Sequence, residues 1–127
     1  MKPDRRQQEA FEPGTPALHR SAVSEPDAAD PQTAAGAVDS AGYGRVRFDL
    51  DASASEALTA LTVQALFWNP LAQRYFRARQ YEFAASDLGE GAVPCLDVET
   101  RGAPALFLKV VAATADVFDL NVFATPW

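Results

Sequence analysis

The sequence predicts an α+β fold: an antiparallel sheet of four to five strands curled around one main helix and a short second helix, preceded by a disordered N-terminal arm. Three observations carry that expectation. Twelve of the thirteen aromatic residues fall within residues 43–127. Apolar residues between Ala54 and Trp68 recur at helical spacing, and strand-like runs then follow one another to residue 125. The order expected within 43–127 is β-α-α-β-β-β-β.

Residues 1–42 read as an arm. Pro3, Pro13, Pro16, Pro26 and Pro31 each remove a backbone donor and restrict the preceding residue. Large apolar side chains there are limited to Met1, Phe11, Leu18, Val23 and Val38, too few to build a core. The segment is expected to be a spacer, or a partner-binding arm anchored by Phe11 and Leu18. His19, the only histidine, lies in it.

The first expected strand is 44–51, where Val46, Phe48 and Leu50 alternate with Arg45, Arg47, Asp49 and Asp51. Ser53 followed by Glu56 has capping-box spacing and places a helix start at Ala54. Ala57, Leu58, Leu61, Ala65 and Trp68 would form its apolar stripe. Asn69 and Pro70 suit the N-cap and first position of a second helix over 70–79. Strands follow at 81–86, 93–101, 105–112 and 117–125, with connections short enough to imply antiparallel hairpins. The run at 105–112 is apolar on both faces and reads as a central strand. Gly89 and Gly91 read as part of a hairpin turn. In element order the chain is similar to the cystatin-like and helix-grip families, without the Gln-x-Val-x-Gly inhibitor loop or the long carboxy-terminal helix.

Composition narrows the function classes. With a length of 127 residues the chain holds at most one domain, placed at 43–127. The net charge of −6 disfavours nucleic acid and anionic membrane surfaces as partners. The uncharged stretch 57–73 is too short and too polar to span a bilayer. The single Cys95 excludes an internal disulfide, and the first residues lack the apolar core of a secretory signal, so a cytoplasmic location is expected.

Candidate sites are few. Asp97 and Glu99 project from one face of a strand and are weak candidates for acid-base work, although wet sheet faces carry such pairs routinely. Cys95 lacks a nearby base. Arg74, Arg77 and Arg79 cluster with Tyr75, Tyr81 and Trp68, a composition enriched in protein interfaces, and Trp127 adds a large aromatic that either tucks over the sheet or is exposed for a partner. Trp68, Phe76, Tyr81, Phe83 and Phe107 are candidates to line an apolar pocket. No metal-ligand spacing and no cofactor loop is present. The expectation is a non-catalytic protein-binding module, an accessory subunit or adaptor that docks on another protein or on itself. The alternative is a roll that binds a small hydrophobic ligand or performs simple acid-base chemistry.

Overall fold

Alternation along Arg45–Asp51 sends Val46, Phe48 and Leu50 into a core where each is fully buried. That strand belongs to one of two packed sheets. The computed structural model describes residues 14–88 and 93–127. It contains eight strands: β1 (Ala17–Val23), β2 (Val38–Asp39), β3 (Arg45–Asp51), β4 (Ala60–Asn69), β5 (Arg74–Ala84), β6 (Cys95–Glu99), β7 (Ala105–Thr114) and β8 (Leu120–Pro126). The first sheet has the order β1-β8-β3-β6 and the second β2-β7-β4-β5, with every pairing antiparallel.

The core lies between the sheets. Phe48, Leu96 and Val122 from the first sheet meet Leu61, Val63 and Leu108 from the second. Each such side chain contributes about 1.5–3 kcal/mol on burial. The architecture is an antiparallel β-sandwich.

This overturns the α+β expectation: among the described residues there is no α-helix, only a single 3-10 turn at Ala85–Asp87. The stretch expected to be the main helix is β4. Leu61, Val63 and Ala65 face the core, while Gln64 and Leu66 are buried on the opposite face. A strand covered on both faces reads as a continuous apolar run, and such a run satisfies helical spacing as well as strand spacing. Ser53 caps no helix; its N–H donates to Asp51 Oδ1 in a turn (3.0 Å), and Glu56 bridges to Val117.

The expected second helix is strand β5. Asn69 does bind local amides, its Oδ1 accepting from the N–H groups of Leu71 and Ala72 (both 3.0 Å). The turn then closes through Gln73, whose φ of +55° is left-handed, and the chain reverses into a hairpin instead of continuing helically. The later strands do not form the expected series of hairpins. β5, β6, β7 and β8 alternate between the two sheets, so each short connection crosses the sandwich.

The expected disordered arm is also corrected where it is described. β1 pairs with β8 and β2 pairs with β7, so residues 14–42 supply one strand to each sheet. Phe11 lies outside the described residues, as do Gly89 and Gly91.

The two-residue β2 leaves most of one side of β7 without a strand partner, and side chains from the 17–30 segment complete it. His19 Nε2 accepts the Leu108 N–H (3.0 Å), and Arg20 donates to the Leu108 carbonyl (3.0 Å). Asp27 closes a reciprocal pair with Val110, its N–H donating to the carbonyl (2.9 Å) and its carboxylate accepting the amide (2.8 Å). An exposed sheet edge is thereby covered. Farther along, Asp30 accepts from Lys109 Nζ (2.7 Å) and Arg77 Nε (3.1 Å), and Tyr75 donates to the Thr33 carbonyl (2.9 Å). These contacts hold the connecting segment over the outer face of the second sheet.

Candidate functional site

β5 is the last strand of its sheet, and among the described residues no strand pairs with its outer side. Its sequence places arginines and aromatics in alternation. A β-bulge lies between the pairs Gln64–Gln80 and Leu66–Arg77, so one extra residue of β5 is accommodated there. The bulge brings Arg79 and Tyr81 onto the core side of the strand, while Tyr75 and Arg77 point to the outer face.

Two arginine–aromatic stacks result. The Arg74 guanidinium lies 4.8 Å from the Phe76 ring centre, and that of Arg79 lies 5.2 Å from Tyr81. Phe76 is 41% exposed, unusual for a large aromatic. Arg77 is engaged by Asp30. Arg74 and Arg79 meet no carboxylate among the described residues. In a chain of net charge −6, Arg74 and Arg79 give this edge positive charge that is unpaired among the described residues.

Beside β5, at the open side of the sandwich, is a cleft of about 460 Å³ lined by Phe67, Arg77, Arg79, Tyr81, Glu99 and Arg101, among others. Arg101 approaches Glu99 at 3.9 Å. The sequence grouped Arg77 and Arg79 with Tyr81 and set Glu99 apart; the structure brings all four to one cleft. Phe67 and Arg101 were missed. Arg101 sits in a tight turn at φ +50°, where its Gly102 neighbour was the visible signal.

The other candidates separate. Trp68, Tyr75 and Phe107 stack on the outer face of the second sheet, with ring centres 5.0 and 6.1 Å apart in sequence along the group. Burial raises the Tyr75 phenol above its ordinary value. Phe83 packs against the core from the inner face. The five residues proposed for a pocket therefore lie on different faces of the sheet. Leu18 is exposed on β1 opposite Phe123, and Trp127 is exposed beyond β8 with the Arg45 guanidinium 5.8 Å from its ring. Asp97 and Glu99 both accept from Arg45, at 2.9 and 3.3 Å. That geometry is a cross-strand ion pair on a wet face.

Groups that sequence reasoning left unassigned hold the covered edge. Burial, reinforced by the neighbouring Arg20 charge, lowers the His19 pKa to about 4. Burial pushes Asp27 upward, but hydrogen bonds from Arg20 and the Val110 amide outweigh it and the net shift is downward. Hydrogen bonds from Lys109 and Arg77 lower Asp30. Among the described residues no three His, Cys, Asp or Glu side chains gather to hold a metal ion, and no helix is long and apolar enough to cross a membrane.

Fold and site together define an antiparallel β-sandwich with a cationic, aromatic edge strand. No protein-family model and no curated protein matches the chain. Among solved structures it is similar to the SPBc2 prophage-derived protein YomS, with 10% identity, a TM-score of 0.55, and coverage of 91% of this chain and 94% of that one. It is also similar to a carbohydrate-binding module, CBM28, described as specific for non-crystalline cellulose, with 13% identity, a TM-score of 0.41, and coverage of 86% and 76%. The likeness to YomS is one of fold alone.

Proposed function

We propose that this chain is a non-catalytic protein-binding module that docks on a partner protein through β5. The observation that carries the reading is the pair of stacks on an edge strand, Arg74 over Phe76 and Arg79 over Tyr81, neither arginine being neutralised among the described residues. Arginine and aromatic side chains dominate binding energy at interfaces, and stacking pre-orders the guanidinium for a carboxylate. A surface of this kind favours an acidic partner. We place the module in the cytoplasm, where its exposed single thiol, Cys95, would remain reduced.

A photo-crosslinking phenylalanine analogue at position 76 tests the reading in native lysate. The expected result is one protein adduct that disappears when Arg74 and Arg79 are both replaced by Glu. Adducts that are absent, or indifferent to those replacements, would overturn it.

A second reading, a small hydrophobic ligand with an anionic end, is favoured by the cleft that places Arg79 and Arg101 near Tyr81 and Phe67. Saturable heat on titration with benzoate, lost in Arg79→Ala, would support it; a flat titration would count against it.

A further inference from the structure

β5 and β6 are the terminal strands of their respective sheets, and both lie on the same side of the sandwich. They run in opposite directions: residues 77–81 lie across from 98–101, and residues 79–83 lie across from Leu96. A two-fold axis parallel to the strands, placed along this open side, exchanges the two sheet levels. It brings β5 of one molecule level with β6 of another, antiparallel, and does the same for β6 and β5. Both edges, unpaired among the described residues, close at once, which is the self-complementarity an isologous dimer requires.

We propose that the partner docked on β5 is a second copy of this chain, held by reciprocal β5–β6 strand pairing. The inference rests on the reading that β5 is the docking surface and names its occupant. Charge selects the pairing. β5 carries Arg74, Arg77 and Arg79 against one acid, Glu82, while β6 carries Asp97 and Glu99 with no basic residue of its own, both acids being shared with Arg45 of β3. Charged edges ordinarily keep sheets apart. Here, arginines repel β5 from another β5 and acids repel β6 from another β6, while the mixed pairing is attractive.

Side-chain alternation fixes a register. Thr62 opposes Glu82 between the core residues Leu61 and Val63, so Glu82 points to the outer face, as does Gln80 opposite Gln64. On β6, Cys95, Asp97 and Glu99 point outward and Leu96 and Val98 inward. Matching outer residues with outer residues, and allowing the bulge at 78–79 to absorb one position, sets Arg77 against Glu99, Gln80 against Asp97 and Glu82 against Cys95 of the second copy. Without the bulge, the faces would fall out of step after Arg77.

Two measurements on the full chain test this. Light scattering coupled to size exclusion is expected to give twice the mass of one 13.7 kDa chain. Arg77→Glu with Arg79→Glu, and separately Asp97→Lys with Glu99→Lys, should each weaken dimerisation at least about tenfold. Mixing the two variants should restore a dimer, because both reciprocal contacts then join opposite charges. Glu82→Cys should oxidise to a covalent dimer through Cys95, and adding Cys95→Ser should prevent it. Within one molecule these positions point away from each other on opposite sheets, about 10 Å apart or more, beyond disulfide reach. A monomeric full chain, or variants that fail to rescue each other, would overturn the inference. If position 76 then crosslinks a different protein in an arginine-dependent way, the docking reading stands with another partner. If it crosslinks nothing, both fall.

Discussion

His19 Nε2 accepts the backbone N–H of Leu108 at 3.0 Å, joining two residues 89 positions apart and using a side chain to complete the edge of a sheet. The bond requires the neutral imidazole with its proton on Nδ1. Protonation would turn the acceptor into a donor facing another donor.

Acid should therefore destabilise the protein in a defined window. The folded-state pKa of His19 is lowered to about 4 from 6.5, so the unfolded chain takes up the proton first. The contribution is fully present above pH 6.5 and is lost as pH falls towards 4, by at most about 3 kcal/mol. Asp27 and Asp30, both held below the ordinary carboxylate value, add a further loss at lower pH. Urea unfolding from pH 7.5 to 4.5 measures the first step. His19→Gln should flatten that step, and an unchanged slope would show that His19 is not its source.

Lys109 is only 8% exposed and its ammonium reaches Asp30 at 2.7 Å. Removing Lys109 leaves Asp30 paired with Arg77, so the loss is mainly that of the buried stem and one charge-assisted hydrogen bond. Lys109→Ala should cost about 1–2 kcal/mol, and Lys109→Met less, because the apolar stem is retained over the sheet. Equilibrium denaturation of both variants checks the order.

Among the described residues the Thr125 hydroxyl oxygen is buried without a hydrogen-bond partner. Valine has nearly the same shape and no group to desolvate, so Thr125→Val should raise stability by about 1 kcal/mol. A loss of stability would mean that the hydroxyl has a partner, such as a bound water molecule.

Arg74 and Arg79 stack on aromatics at an exposed edge and make no ion pair among the described residues. Replacing either with Ala should change stability by no more than about 0.5 kcal/mol. Thermal unfolding separates this from a structural role, for which a loss of several kcal/mol would be expected.

The legibility of the sequence followed local chemistry. β3 was visible because one of its faces is dry and the other wet, giving Val46, Phe48 and Leu50 a clean alternation. β4 was misread because both of its faces are covered, and β5 because Asn69 and Pro70 begin a tight turn as readily as a helix. The grouping of Arg74, Arg77 and Arg79 was legible without their scaffold, since residues two and three apart stay close on a strand or a helix. β1 and β2 were not legible at all. Short of large apolar residues and set in a proline-interrupted segment, they are ordered by distant partners, such as Leu108 for His19, 89 positions away, and Leu106 for Val38. Local composition cannot report such partners.

The pairing of β1 with β8 also sets an order of events. Ala22 donates to Asn121, 99 positions later, so the first strand has no sheet to join until nearly all the remaining strands are in place. Closing loops of that length before any contact rewards them makes for slow folding compared with helical chains of the same size. During synthesis, residues 14–39 would wait as an unpaired tail while later strands are made. The segment that completes the sandwich is thus made early and used last, and until then the side of β7 that it covers remains open to misplaced strands.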